Sequence, residues 1–278
     1  MPRFAPPLPD RRPAIVAGAS SGIGEATAIE LAAHGFPVAL GARRVEKLTD
    51  IVGKINADGG EAVGFHLDVT DPPNSVKSFV AQSTEALGDI EVLVAGAGDT
   101  YFGKLDEITS DEFDSQLQIH LVGAFRLANA VLPGMMERQR GDLIFVGSDV
   151  SLRQRPHMGA YGAAKAALVA MVTNFQMELE GTGVRASIVH PGPTKTSMGW
   201  SLPAEKKIGP ALEDWAKWGG QARHDYFLRA ADLARAITFV AETPRGGFIA
   251  NMELQPEAPL ADNKERQKLA LGEEGMPS

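Results

Sequence analysis

The chain has no cysteine among its 278 residues, which excludes disulfide bonds and thiolate metal ligands. Its six histidines are scattered without the spacing of a metal site, so we expect no bound metal. Positive charge is also scarce: 27 Lys and Arg stand against 35 Asp and Glu, a formal net charge of −8. Because affinity for nucleic acid comes mainly from Lys and Arg, this balance argues against a nucleic-acid partner.

Long hydrophobic runs are absent as well. No apolar run approaches the length that a membrane span needs, and the proline-rich residues 1–10 lack the apolar segment of a secretory signal. We therefore expect a cytoplasmic protein without a membrane partner. With 44% hydrophobic and 22% charged residues, the composition is that of an ordinary globular chain, and we expect one domain with a large core.

From Pro13 onward, short apolar runs alternate with longer helical patterns, which is typical of βαβ units and a parallel sheet. Apolar runs without polar alternation fit a sheet covered on both faces. The predicted strands are 14–17, 38–41, 62–67, 92–95, 142–146, 184–189 and 248–252, and the predicted helices are 22–34, 45–57, 74–87, 111–138, 158–180 and 231–242.

We divide the chain into a proline-rich extension (1–12), one domain (13–256) and a polar tail (257–278). Within the domain, residues 197–229 interrupt the alternation and contain all three tryptophans. Two interpretations of this insertion are open: it covers a substrate site, or it is a solvated helical excursion that its aromatic side chains anchor.

A glycine-rich turn, with Gly18, Gly22 and Gly24, separates the first strand from the first helix. Glycines permit close backbone approach, and the following helix N-terminus offers free N–H groups to a pyrophosphate. The same residues also spell the Gly-x-Ser-x-Gly elbow of α/β-hydrolases around Ser20. Its position after the first strand, and the lack of a placed His–acid pair, argue against a hydrolase.

Arg43 and Arg44 follow the second strand, about 20 residues beyond the glycines, where an acid would select the ribose 2′-hydroxyl of NAD. Two guanidinium groups instead suit a 2′-phosphate. The alternative is a pair of solvated arginines that open a helix, although cations there oppose the helix dipole.

Tyr161 and Lys165 stand four positions apart, so on a helix they share one face. A cation beside a phenol favours the phenolate, which brings the pKa of Tyr161 closer to neutral pH and suits it to acid–base work. Such a pair also arises by chance on solvated helices. Ser148 lies 13 positions before the tyrosine.

Together, the glycine turn, Ser148 and the Tyr161–Lys165 pair resemble the short-chain dehydrogenase/reductase family over roughly residues 13–256. The resemblance implies a Rossmann-type fold: a doubly wound parallel sheet of about seven strands with helices on both faces. It also implies NADP(H) as cofactor, and hydride transfer between nicotinamide and a ketone or secondary alcohol. Tyr161 would be the general acid or base, Lys165 would lower its pKa and bind the nicotinamide ribose, and Ser148 would hold the substrate oxygen.

The resemblance extends to further motifs that would contact the cofactor: an Asp turn after the third strand, a glycine motif after the fourth, and a Pro-Gly motif followed by threonines. The implied cofactor-binding residues are Gly18, Ser20, Ser21, Gly22, Ile23, Gly24, Arg43, Arg44, Asp68, Val69, Ala95, Gly96, Ala97, Tyr161, Lys165, Pro191, Gly192, Thr194 and Thr196.

His120 departs from the family, which usually has an Asn at this position to link the lysine to solvent through a water. Neutral imidazole has one donor and one acceptor, so His120 can replace the Asn as a proton relay. The alternative is a packed histidine with the relay lost. Asp149 adds a carboxylate beside Ser148 that either repels anionic substrates or faces solvent.

The expected substrate is a small apolar carbonyl compound, because ligand pockets are mostly apolar. The family resemblance also implies a homo-oligomer, a dimer or a tetramer. A competing function is an NADP(H)-binding sensor or structural subunit with little turnover. The residues expected to line the substrate pocket are Asp149, His157, Met158, Met198 and Trp200.

Overall fold

The computed structural model describes residues 11–71, 74–196, 198, 202–218 and 227–257, with the backbone alone for 202–208 and 218. Seven parallel strands form one sheet in the order β3-β2-β1-β4-β5-β6-β9, as expected for a Rossmann-type fold. These strands are β1 (Ala14–Ala17), β2 (Val38–Ala42), β3 (Ala62–His66), β4 (Val92–Ala95), β5 (Gly141–Val146), β6 (Val184–Pro191) and β9 (Asn251–Leu254). A separate two-stranded ladder pairs β7 (Thr194–Lys195) with β8 (Leu228–Arg229).

Helices connect the strands and cover both faces of the sheet. They are α1 (Gly22–Ala33), α2 (Val45–Ala57), α3 (Asn74–Leu87), α4 (Ser110–Leu117), α5 (Gly123–Glu137), α6 (Gly159–Glu178), α7 (Leu202–Trp218) and α8 (Ala230–Glu242). Most predicted elements lie within a few residues of these bounds.

The core consists of two layers because successive side chains of a strand point to opposite faces. On β1, Ile15 belongs to the cluster that also contains residues of α3, α5 and α6. Its neighbour Val16 belongs to the cluster formed with α1, α2 and α8. This two-sided burial explains why the strands lack polar alternation, as the sequence predicts.

The predicted helix 111–138 is interrupted in the structure. A capping box between Thr109 and Glu112 begins α4, and a π-helical segment, Gln118–Val122, separates it from α5. The stretch Ser110–Glu137 is long enough to cross a membrane, and an 18-residue window within it has a mean hydropathy of 1.3, which the sequence expectation overlooked. A core helix passes the same test, and here α5 packs on β4 and β5.

The last strand begins later than predicted. Residues 248–250 precede β9, and the ladder with β6 runs from the Ile188–Asn251 pair to the Pro191–Leu254 pair. A turn at Gly246, with φ of +95°, is followed by irregular backbone up to this ladder. The strand position is therefore set by its partner β6 rather than by its own apolar residues.

The N-terminal boundary also differs from the prediction. Arg12 was assigned to the extension, but its side chain is 4% exposed and forms ion pairs with Glu91 and Asp142. Asp142 also accepts a hydrogen bond of 2.6 Å from Nε of Arg185. Arg12 therefore belongs to the folded domain. Residues 1–10 of the extension and 258–278 of the tail lie outside the described residues.

We expect Asp142→Asn to lower the free energy of unfolding by about 3–5 kcal/mol, because it leaves the guanidinium groups of Arg12 and Arg185 without their buried carboxylate. Urea unfolding followed by circular dichroism measures the change. The control is Asp89→Asn, which breaks an exposed ion pair with Arg138 and is expected to cost less than about 1 kcal/mol. Equal effects of the two substitutions would contradict the structural role of Asp142.

Candidate active site

A large cavity lies at the carboxyl ends of the central strands. Its volume is about 690 Å³, and residues following β1, β2, β4, β5 and β6 line it. From β1 the chain proceeds outward to β2 and β3 on one side, and from β4 to β5 and β6 on the other. The cavity therefore opens at the point where the strand order reverses, which is where open α/β sheets bind ligands.

The glycine turn forms one wall of this cavity. Gly18 has φ of +81°, and a Cβ there would lie 2.8 Å from Cα of Ala97. A Cβ on Gly24 would lie 2.4 Å from the carbonyl oxygen of Gly18. Ser21 precedes α1, and its side chain makes no capping hydrogen bond. The first N–H groups of the helix, on the side of the cavity, therefore have no side-chain acceptor. The turn thus has the close packing and free donors of an anion cradle.

Arg43 and Arg44 both line the cavity beside this turn. Nη2 of Arg44 donates to the hydroxyl oxygens of Ser20, at 2.9 Å, and Ser21, at 3.1 Å. These contacts hold the guanidinium of Arg44 against the glycine turn. A negatively charged group placed at the turn would therefore meet both backbone N–H groups and a guanidinium.

Asp68, at the end of β3, also lines the cavity. Burial alone would raise the pKa of its carboxyl, but hydrogen bonds from the hydroxyl and amide of Thr70, together with the charge of Arg43, outweigh it and lower the pKa. The carboxylate is thus fixed in its ionised form. Arg126 donates to the carbonyl oxygens of Val69 and Thr70, which holds this loop against α5.

Ser148, Tyr161 and Lys165 meet in the same cavity. Lys165 donates from Nζ to the carbonyl oxygen of Val146 over 2.7 Å, which ties α6 to the end of β5. The hydroxyl groups of Tyr161 and Ser148 are hydrogen-bonded to each other. Two hydroxyl groups and an ammonium group therefore surround one point where a reacting oxygen could lie.

The pKa values of this group differ from the sequence-based expectation. Burial raises the pKa of Tyr161 to about 12, and burial lowers the pKa of Lys165 to about 7. The hydrogen bond from Ser148 acts in the opposite direction on the tyrosine, as does the charge of Arg155, whereas Asp149 adds to the increase. The expected lowering by Lys165 is therefore not found, because desolvation of the phenolate dominates.

His120 lies in the π-helical segment and is 2% exposed. Its Nε2 is 2.6 Å from the carbonyl oxygen of Asp99, so Nε2 carries the proton, and Nδ1 has no hydrogen-bond partner. Burial, with the nearby charge of Lys165, lowers the pKa of His120 well below its usual value, so the ring is neutral. The ring packs edge-on against Tyr161 with centroids 5.0 Å apart.

Gly98 leaves the space that this imidazole occupies, since a Cβ there would lie 2.8 Å from Cε1 of His120. The π-helical turn and Gly98 together leave space for an imidazole ring, and a shorter side chain at position 120 would not fill this space. His120 thus presents an unpaired acceptor beside Tyr161.

Asp149 does not face solvent, so that interpretation of the sequence is wrong, and its carboxylate is paired rather than free. It is 3% exposed and forms two hydrogen bonds with Arg155, 3.2 Å from Nη1 to Oδ1 and 2.5 Å from Nη2 to Oδ2. Both residues line the cavity. A buried carboxylate requires such a partner, which the sequence spacing does not reveal.

Two other expected residues have different positions, and a third is not described. His157, with φ of +63°, does not line the cavity, because its ring turns toward α7 and Nε2 lies 2.8 Å from Oδ2 of Asp214. The side chain of Ala95 is buried in the core below the cavity rather than in its lining. Trp200 lies outside the described residues. Met158 and Met198 line the cavity as expected.

The remaining expected cofactor residues line the cavity. They are Ile23, Gly22, Val69, Gly96, Ala97, Pro191, Gly192, Thr194 and Thr196. A Cβ on Gly22 would meet the side chain of Thr196 at 3.3 Å, so the Pro-Gly segment after β6 closes over the glycine turn.

Other lining residues were not identified one by one from the sequence. Leu212, Trp215 and Phe227 lie in the insertion 197–229, which one of the two sequence interpretations placed over the substrate site. Arg155 lies between Ser148 and His157, and Phe102, on the loop after β4, is marked by no motif. Trp215 donates from Nε1 to the carbonyl oxygen of Pro156 over 2.7 Å, which seats the C-terminal turn of α7 on the cavity rim. No group of His, Asp and Glu side chains among the described residues has the arrangement of a metal site.

The chain is similar to characterised proteins over most of its length. A sequence profile of the short chain dehydrogenases matches residues 12–207. The chain is 38% identical over 244 residues to glycine betaine reductase ATRR of Emericella nidulans, covering 87% of this chain and 18% of that protein. It is 32% identical over 238 residues to 2,3-dihydro-2,3-dihydroxybenzoate dehydrogenase of Bacillus subtilis, covering 84% of this chain and 90% of that protein.

A solved structure with a similar fold is the alcohol dehydrogenase of the archaeon Thermococcus sibiricus, complexed with 5-hydroxy-NADP. The two chains are 32% identical with a TM-score of 0.76, and the match covers 89% of this chain and 100% of the other.

Proposed function

Because this chain belongs to the short-chain dehydrogenase family, we propose that it is an NADP(H)-dependent oxidoreductase acting on a ketone or secondary alcohol. The observation that carries this proposal is the convergence of Ser148, Tyr161 and Lys165 in the cavity that also contains the glycine turn. A pure dinucleotide-binding protein has no need of two hydroxyl groups and an ammonium group at one point.

The cavity residues fit an NADP(H) cofactor. The space at Gly18 and Gly24, which a Cβ would fill, and the free N–H groups at the start of α1 suit a pyrophosphate. Arg43 and Arg44 suit the 2′-phosphate, and Asp68 and Val69 border the adenine side. When bound, nicotinamide supplies or accepts the hydride.

In carbonyl reduction, Ser148 holds the substrate oxygen and Tyr161 donates its proton to that oxygen as negative charge develops. The pKa of about 12 means that Tyr161 carries this proton at neutral pH. Lys165 orients the tyrosine from one turn away and would bind the nicotinamide ribose. Alcohol oxidation is the reverse of this step, and Tyr161 must first lose its proton so that its phenolate can accept the proton of the substrate hydroxyl.

A small apolar substrate fits the lining beyond Tyr161. Phe102, Val150, Met158 and Trp215 provide apolar surface, and the charge of Arg155 is already neutralised by Asp149. We expect an uncharged carbonyl compound, because a free carboxylate would lack an unpaired cation in this part of the lining.

The proposed enzyme is a cytoplasmic homo-oligomer, a dimer or a tetramer. Exposed apolar side chains support an interface between copies: Phe125 on α5 is 46% exposed, and Met177 on α6 is 67% exposed. Single large apolar residues are common on protein surfaces. The support for an interface therefore comes from the occurrence of two such residues on α5 and α6, which are consecutive helices of the chain.

We expect purified protein to consume NADPH with a panel of ketones and aldehydes, and Tyr161→Phe to lower kcat by about 10²–10⁴-fold because the proton donor is removed. The dissociation constant for NADPH should change little. Absorbance of NADPH measures turnover, and Tyr101→Phe is the matched control. Tight NADPH binding with no consumption by any carbonyl would favour the sensor or structural function instead.

We expect the double substitution Arg43→Gln and Arg44→Gln to weaken NADPH binding by about 10–100-fold, because charge-assisted hydrogen bonds to the 2′-phosphate are lost. Binding of NADH should stay nearly constant. Fluorescence titration with both cofactors measures this split, and Lys47→Gln on the exposed face of α2 is the control. Equal affinity of the parent protein for NADH and NADPH would refute the cofactor preference.

We infer that His120 positions a water molecule that supplies protons to Tyr161, with the unpaired Nδ1 accepting a hydrogen bond from that water. His120→Asn should retain or increase reductase activity, since Asn also offers an acceptor, whereas His120→Leu should lower kcat because it offers none. Steady-state rates with circular dichroism as a folding check test this. Complete loss of activity in a folded His120→Asn variant would contradict the relay.

A further inference from the structure

Arg155 contacts two parts of the cavity at once. Its guanidinium forms two hydrogen bonds with Asp149, the residue after Ser148, and lies over the ring of Trp215 on α7 at 5.7 Å from the centroid. The side chain is 12% exposed and that of Asp149 is 4% exposed. Because both side chains are largely shielded from water, the ion pair and the cation–π contact are stronger than they would be at the surface.

The segment that carries Arg155 is attached to α7 by two further contacts. Pro156 accepts the hydrogen bond from the indole of Trp215, and His157 contacts Asp214. Lys104 adds an ion pair to the same aspartate at 3.8 Å. Three consecutive residues of one loop therefore hold one turn of α7, and displacement of that turn would remove the aromatic face from Arg155.

The charged and titratable groups around Tyr161 come from each element packed on it. They are Lys165 on α6, His120 on the π-helical segment, Asp149 and Arg155 on the loop after β5, and the His157–Asp214 pair between that loop and α7. Of these, Asp149 and Arg155 have opposite signs and act in opposite directions on the tyrosine. Their pairing therefore sets two opposing effects against each other at the tyrosine.

We propose that Arg155 is a positioning residue that couples the seating of α7 to Tyr161, by neutralising Asp149 beside Ser148 while stacking on Trp215. With α7 seated, the guanidinium is held on the carboxylate and the cavity presents a neutral pair to an apolar substrate. Without the stack, Arg155 gains rotational freedom and Asp149 presents unpaired charge at the reacting oxygen. The role of Arg155 in catalysis rests on the proposed oxidoreductase function, which it deepens.

The test measures ionisation of Tyr161 directly, without cofactor or substrate, so its result is independent of whether turnover is found. The phenolate absorption is read in a stopped-flow pH jump to about pH 11, before the chain unfolds. The variants are Asp149→Asn, Arg155→Met and the double variant, with Arg153→Met as matched control. Arg153 pairs with Glu253 at the surface and is 54% exposed. Subtracting the Tyr161→Phe counterpart of each variant isolates the signal of this tyrosine from those of the two other tyrosines in the sequence.

The expected shifts have opposite signs. Asp149→Asn should lower the pKa of Tyr161 by about one pH unit and so increase its phenolate fraction several-fold, because Arg155 is left unpaired. Arg155→Met should raise the pKa and reduce the phenolate fraction below that of the parent. The double variant should return close to the parent, and Arg153→Met should not differ from it. If the pair had a purely structural role, both single variants would admit water and shift the pKa of Tyr161 in the same direction. That result would overturn the proposal, and so would the absence of a shift in both variants.

The contact with α7 is tested in a background in which Trp200 and Trp218 are replaced by Phe, so that Trp215 is the only tryptophan. Arg155→Met should increase quenching of Trp215 by acrylamide about two-fold, since the guanidinium no longer covers the ring. Arg153→Met should leave quenching unchanged. Equal quenching in the parent and in Arg155→Met would overturn the coupling between Arg155 and α7.

Discussion

The hydrogen bond from the ammonium of Lys165 to the carbonyl oxygen of Val146 is the contact on which the site depends. It ties α6 to the carboxyl end of β5, two residues before Ser148. Tyr161 lies one helical turn earlier on α6, so the same contact fixes its hydroxyl against that of Ser148. The three side chains come from two elements, and this buried bond sets the distance between those elements.

Burial of this contact explains the unusual proton affinities of the site. The charged forms of a phenol and an amine both lose solvation in the interior, so the pKa of Tyr161 rises to about 12 and the pKa of Lys165 falls to about 7. His120 is held neutral for the same reason. The site therefore favours neutral side chains with directed hydrogen bonds, which suits proton donation to a developing alkoxide.

Buried carboxylates that stay ionised are paired with guanidinium groups instead. Asp149 forms two hydrogen bonds with Arg155, and Asp142 contacts Arg12 and Arg185 at the amino end of β5, the end of the strand away from the cavity. In both clusters the partners are distant in the sequence or separated by a turn, and burial makes their pairing necessary. The two clusters serve different purposes, since the first borders the cavity and the second joins Arg12, just before β1, to β5.

The sequence alone predicted the parallel sheet and the glycine turn, because periodicity and local spacing specify strands, helices and their ends. It indicated the Ser148, Tyr161 and Lys165 set only through its resemblance to a known family. Only the tertiary structure decided which groups meet: the π-helical turn at His120, the partner of Asp149, and the rotation of His157 toward Asp214. It also reversed the expected pKa shift of Tyr161. Burial and pairing depend on residues brought together from separate elements, and no local pattern in the chain records which elements these are.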